Sequence, residues 1–104
     1  MLTIVETPTF MAEARRLWSD DERLEFFTFI AGQPDAGVVV RGSGGCRKVR
    51  WSRPGTGKSG GIRVIYFTRL EAGELWMLLA YPKGEKDSIP GHLLKAIREE
   101  LEHD

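Results

Sequence analysis

A single cysteine and two histidines are present in 104 residues. The one thiol, Cys46, cannot close an internal disulfide, which fits a reducing, cytoplasmic location. Both histidines, His92 and His103, lie in the C-terminal segment, so neither offers Cys46 a base, and it reads as a small strand residue. No Cys/His grouping has zinc-ligand spacing, so no metal site and no cofactor are expected. Long apolar runs are missing as well. The longest, Leu75–Tyr81, is far too short to cross a bilayer. The N-terminal stretch MLTIVETPTF has neither a basic flank nor a long apolar run and does not read as a signal peptide.

The most informative absence is that of acidic residues. None lies between Ala36 and Leu70, where eight basic residues stand: Arg41, Arg47, Lys48, Arg50, Arg53, Lys58, Arg63 and Arg69. The whole chain is formally neutral, with 15 Lys+Arg against 15 Asp+Glu, so all the acids are pushed outside that window. A neutral protein with one strongly basic middle is suited to meet a polyanion at one place, and nucleic acid is the polyanion that fits. The competing explanation is a solvated basic surface on an ordinary domain.

A hydrophobic fraction of 41% with ten aromatic residues supports one domain over residues 1–104 with a modest core. Leu2–Glu6 reads as a short strand. Thr7-Pro8 starts a helix, with Thr as cap and Pro at the first helical position. Ser19 and Glu22 form a capping box for a second helix that carries Leu24, Phe26, Phe27 and Ile30 inward and stops at Gly32. The aromatics of Phe26-Phe27-Thr28-Phe29 read as core. Val38–Arg41 is a short extended stretch before the turn Gly42-Ser43-Gly44-Gly45. Cys46–Trp51 alternates, with Val49 and Trp51 on one side and Lys48 and Arg50 on the other. Ile62–Thr68 is a β-branched and aromatic strand interrupted only by Arg63, and Leu75–Tyr81 is the next strand. A last helix starts near Ser88 and carries Leu93, Leu94, Ile97 and Leu101 inward. The expected fold is α+β in the order β-α-α-β-β-β-α: a small twisted antiparallel sheet with helices on one face and a polar face bearing Lys48, Arg50 and Arg63.

Pro54-Gly55-Thr56-Gly57-Lys58-Ser59 looks like the heart of a phosphate-binding loop. The full pattern needs a Gly where Ser52 stands, and a helix after the loop rather than the strand expected from Ile62. Nucleotide binding is therefore disfavoured. Gly and Lys there still suit close approach to a phosphate backbone.

Three strings then resemble one family. Gly42-Ser43-Gly44-Gly45-Cys46-Arg47-Lys48-Val49-Arg50 is similar to the G-x-G-G-x-R-K-[IV]-R signature of RelE-superfamily toxins, HigB branch. Gly57-Lys58-Ser59-Gly60-Gly61-Ile62-Arg63-Val64-Ile65-Tyr66-Phe67 and Leu78-Leu79-Ala80-Tyr81-Pro82-Lys83-Gly84-Glu85-Lys86 resemble later segments of the same family. The resemblance runs over essentially the whole chain. It implies the toxin of a type II toxin–antitoxin pair: an mRNA interferase that enters the ribosomal A site and cuts mRNA during translation. It also implies a cognate antitoxin, expected to carry a helix-turn-helix, and no membrane partner.

RNA is cut without metal when its own 2′-OH attacks the adjacent phosphate. The enzyme must help remove that proton, stabilise the added negative charge and protonate the 5′-oxygen. With no His or carboxylate in the basic window, the chemistry falls to Lys, Arg and Tyr, as the resemblance also implies. Lys48 or Lys83 is the candidate for handling a proton, since an amine amid like charges gives one up more readily. Arg50 and Arg63 would hold the scissile phosphate. Tyr81 would stack on a base or position the phosphate. Arg47, Arg53, Lys58 and Lys86 would bind the RNA backbone. The rivals are a noncatalytic RNA- or ribosome-binding module of the same fold, a small NTPase and a purely structural interaction domain.

Overall fold

The first two helices form where their caps predict. The structure, a computed structural model, describes residues 2–52, 61–85 and 89–102. Strand β1 (Thr3–Glu6) leads into α1 (Pro8–Leu17) and α2 (Asp20–Gly32). The Thr7 hydroxyl accepts the Phe10 N–H at 3.3 Å, and Ser19 and Glu22 complete the capping box. Four strands follow: β2 (Val38–Val39), β3 (Arg47–Trp51), β4 (Ile62–Arg69) and β5 (Glu74–Pro82), and α3 (Gly91–Glu102) comes last. The strand order in the sheet is β1-β5-β4-β3-β2. Among the described residues no helix is long and apolar enough to cross a membrane.

The expected α+β class and the expected run of helices and main strands are found. Several particulars differ. The sheet is not wholly antiparallel: β1 pairs with β5 in parallel. Strand β5 is apolar on both faces and lies inside the sheet, and β1 supplies its second neighbour. Nor do all three helices share one face. Helices α1 and α2 pack through Phe10, Ala14, Phe26 and Ile30 onto Val49, Val64, Tyr66, Leu75 and Met77. Helix α3 instead packs through Leu94 onto Cys46, Ile65, Phe67, Leu78 and Tyr81. Neighbouring residues of a strand face opposite sides, so Ile65 and Phe67 lie across the sheet from Val64 and Tyr66 and require a second covering layer. The predicted inward set also changes. Leu24 is 57% exposed, and Leu93 and Ile97 are exposed too. Helix α3 meets the sheet along Leu94, Arg98 and Leu101, a narrow stripe at i, i+4 and i+7 that leaves Leu93 and Ile97 outside it.

Two features fix α3 in place. The Arg98 guanidinium lies 4.7 Å over the Phe67 ring, and its Nη1 donates to the Gly44 carbonyl. That carbonyl belongs to the turn between β2 and β3, where Gly42, Gly44 and Gly45 all take positive φ, a conformation glycine adopts without a Cβ penalty. Gly91, the first residue of α3, lies against the same segment. A Cβ there would stand 2.0 Å from the Arg41 carbonyl oxygen. Near the start of a free helix Gly→Ala is stabilising by up to ~1 kcal/mol. Here the sign reverses: Gly91→Ala is expected to lower stability by about 1–3 kcal/mol, as overpacking does. Urea denaturation checks this, and an unchanged or raised midpoint would refute the contact.

Candidate nucleic-acid interface

One irregularity in the sheet decides which side chains meet. Ile65 of β4 lies opposite Leu79 of β5, yet the next residue, Tyr66, lies opposite Met77. Leu78 is thus the extra residue of a β-bulge. In a regular strand, residues 76 and 81 would face opposite sides. With the bulge both face the α3 side: Trp76 lies opposite Phe67, and Tyr81 lies opposite Arg63. On the other neighbour of β4, Lys48 of β3 lies opposite Ile65, and Arg50 lies opposite Arg63. Lys48, Arg50, Arg63 and Tyr81 therefore share one face, and α3 covers only part of it.

The two arginines converge at the start of β4. A Cβ on Gly61 would lie 3.2 Å from Arg63 Nη1 and 3.5 Å from Arg50 Nε, so the bare glycine leaves room for both guanidinium groups. Lys83 comes to the same end of the sheet. Its backbone N–H donates to the Gly61 carbonyl at 2.9 Å. Lys83 is followed by Gly84 with φ 89°, in a tight turn closed by the Glu85 N–H donating to the Pro82 carbonyl at 3.2 Å. Directly opposed like charges destabilise a strand pair. Arg63 Nη1 is also buried with no hydrogen-bond partner among the described residues, which is costly for a charged donor. An anion between the two groups relieves both costs.

Tyr81 is 2% exposed, its ring packed among Cys46, Ile65 and Leu94. A ring so buried offers little face for base stacking. Burial pushes the phenol up from its ordinary value, with Arg63 acting in the opposite direction. It is therefore a neutral O–H donor near pH 7, beside Arg63. Cys46 is buried, its thiol also pushed up by burial and opposed by Arg98, so it is a small core residue as the sequence suggests.

Arg47 is not part of this cluster. It lies opposite Tyr66, on the α1/α2 side of the sheet. Its Nη1 donates to the carbonyls of Gly37 at 2.6 Å and Asp35 at 3.3 Å. The Tyr66 hydroxyl donates to the Pro34 carbonyl at 2.8 Å and accepts the Gly37 N–H at 3.0 Å. The two side chains clamp residues 34–37 to the sheet. Arg53, Lys58 and Lys86, the loop of residues 54–59, and the expected helix start at Ser88 lie outside the described residues.

Beside the arginines a recess of about 370 Å³ opens at the uncovered edge of β3. It is lined by Phe29, Ala36 and Val38 together with Lys48, Val49, Arg50 and Arg63. Sequence reading missed Phe29 and Val38 as site residues, since an aromatic at helical spacing and a valine beside a turn carry no sign of a ligand. It also left Gly61 without a role of its own. Among the described residues, no three His, Cys, Asp or Glu side chains gather to hold a metal ion.

No protein-family profile matches the chain. Solved structures do. The isolated E. coli RelE toxin matches with a TM-score of 0.63 at 15% identity, over 98% of this chain and 97% of its own. A free-state E. coli RelE with two arginines replaced by alanine matches at 0.65 and 16% identity, over 93% and 96%. The fold is that of RelE. The RelE fold here presents Lys48, Arg50 and Arg63 on the partly covered face of its sheet, with Tyr81 beneath them.

Both tyrosines of the chain, Tyr66 and Tyr81, are held above the usual value of about 10 by burial. A raised folded pKa contributes stability that is present below the unfolded value and lost as pH rises through the folded one. An alkaline spectrophotometric titration of the native protein is expected to show no tyrosinate until pH exceeds about 10, with stability falling beyond that point. Tyrosinate appearing below it would contradict the burial of either ring.

Proposed function

We propose that this protein is a RelE-like toxin of the HigB branch and a ribosome-dependent mRNA endoribonuclease. The observation that carries the reading is the opposition of Arg50 and Arg63 over Gly61, with Arg63 Nη1 buried and unpartnered among the described residues. Two guanidinium groups at the end of a rigid sheet suit a phosphate whose negative charge grows in the transition state. The RelE fold, carried by a protein described as a toxin, supports the same reading. The three sequence strings that resemble HigB toxins support the branch.

In the proposed reaction the 2′-oxygen attacks the adjacent phosphorus and the bond to the 5′-oxygen breaks. The products are a 2′,3′-cyclic phosphate and a 5′-hydroxyl. Lys48 or Lys83 takes the 2′ proton or delivers one to the leaving oxygen. Arg50 and Arg63 hold the two non-bridging oxygens, and the neutral Tyr81 hydroxyl aids in orienting them. A cluster of cations repels a divalent metal, and side chains carry the proton transfers and the charge stabilisation. Arg53, Lys58 and Lys86 would extend the contact to neighbouring phosphates. The setting is the ribosomal A site in the cytoplasm, with mRNA as substrate and a helix-turn-helix antitoxin as the controlling partner.

Cell-free translation followed by primer extension on the mRNA tests this. The wild-type protein is expected to cut within the translated frame, only with ribosomes present. Arg63→Ala should lower cleavage by about 10²- to 10³-fold, as loss of one transition-state donor does, with a much smaller loss of RNA affinity. Equal losses of cleavage and affinity would make Arg63 a binding group rather than a catalytic one, and intact mRNA that the wild type still binds would identify a noncatalytic module and overturn the reading.

A further inference from the structure

Beyond the phosphate seat, we infer that the recess beside Arg50 holds one nucleobase of single-stranded RNA, with Phe29 and Val38 as its apolar wall. The inference rests on the RNA-cleaving reading and adds a second subsite to it. The recess, about 370 Å³, is at the small end of the ~300–1,000 Å³ range of ligand pockets, suited to one base rather than to a helix or a strand. It joins two chemistries that a nucleotide also joins. Arg50 and Arg63, on its inner wall, are the groups that meet over Gly61. Phe29 and Val38, together with Val49, give the apolar surface that a base needs when it leaves its stack. A phosphate between the arginines thus places its own base, or the next one, within reach of the recess.

The recess exists because β2 is only two residues long. It pairs with Arg47 and Lys48 and leaves β3 uncovered from Val49 onward. The wall is held in place by the clamp of Arg47 and Tyr66 on residues 34–37. Phe29, which lines the recess, also packs against Trp51, ring centroids 5.4 Å apart, so the apolar wall is a side chain already ordered. Lys48 stands at the rim, where its ammonium can donate to a ring nitrogen or carbonyl oxygen of the base. Base preference would therefore be set by Phe29, Val38 and Lys48, while the arginines remain indifferent to sequence.

Val38 is 74% exposed, so Val38→Trp blocks the recess from outside the core. The measurement is fluorescence anisotropy of the full chain with short single-stranded oligonucleotides carrying 2′-O-methyl groups, which cannot be cut. One set is intact and the other has a single abasic position moved along the strand. For the wild type, removal of the base at one position is expected to weaken binding about tenfold, within the range of single base–aromatic contacts. Val38→Trp should weaken the intact oligonucleotide by a similar factor and abolish the difference between intact and abasic strands. Phe29→Leu, which keeps an apolar side chain but removes the aromatic face, should do the same in smaller measure. A melting temperature close to the wild-type value establishes that the fold is retained in each. If the wild type binds RNA but no abasic position matters, or if Val38→Trp leaves the difference intact, the base subsite is wrong while the cleavage reading stands. If the wild type binds no RNA, both fall. A surface built for an acidic protein segment instead would show as binding of poly-glutamate that Val38→Trp weakens while RNA binding is untouched, and that result also overturns the inference.

Discussion

The geometry of the site depends on one extra residue in β5. Leu78 has no opposite residue on β4, and its insertion turns Tyr81 to the face that holds Arg63. Were the same chain paired regularly from Met77 onward, Ala80 would stand opposite Arg63 and Tyr81 would fall on the α1/α2 side. Thr7 holds the bulge. Its hydroxyl and its backbone N–H both donate to the Met77 carbonyl, at 2.9 and 3.3 Å, while the same hydroxyl accepts from Phe10 at the start of α1. One residue thus caps a helix, satisfies a carbonyl at the irregularity and ties the helical layer to the strand. Bulges cluster at the places where a strand must re-aim a side chain, and this one has that effect on Tyr81.

The charge arrangement works against the stability of the isolated chain. Arg50 faces Arg63 across paired strands, and a buried donor of Arg63 lacks a partner among the described residues. Three other arginines stand near carboxylates. Arg23 lies near Glu6 and Asp20, Arg69 near Glu74, and Arg98 bonds to Glu102. Acids are plentiful in the chain, yet none stands between residues 36 and 70. The cluster is carried by β3 and β4, and β4 is held on both sides, by five paired positions to β3 and eight to β5, so its backbone opposes the repulsion. A preorganised pair of cations then needs little rearrangement when an anion arrives.

Much of this was legible in the sequence. The caps at Thr7 and Ser19 are local signals and both helices begin where they stand. Period-two alternation put Lys48 and Arg50 together, and Arg63 stood out because a charge interrupted an apolar strand. The bulge was not legible, since Leu78 and Leu79 are alike and nothing marks which is the additional residue. Arg47 and Arg50 carry the same charge in the same window, and only the register separates a clamp on residues 34–37 from a member of the cluster. The placement of α3 escaped for a related reason. Its inward stripe includes Arg98, whose burial over Phe67 is a cation–π contact, so a search for apolar periodicity selected Leu93 and Ile97 in its place.

The division between cations and apolar wall bears on what such a surface is able to distinguish. Guanidinium groups on phosphate supply affinity and orientation, and every nucleotide offers the same phosphate. A site made only of Lys48, Arg50, Arg63 and Lys83 would meet all strands alike. Discrimination requires contacts at base edges or faces, and those side chains come from elements that carry little charge: Phe29 at the end of α2 and Val38 at the start of β2. The segment that links these two elements is the one clamped by Arg47 and Tyr66. A cation that the sequence placed among the RNA contacts is thereby a positioning residue for the wall beside them. On the proposed RNA reading, its loss would loosen residues 34–37 and blur the choice of base before it weakened the grip on phosphate.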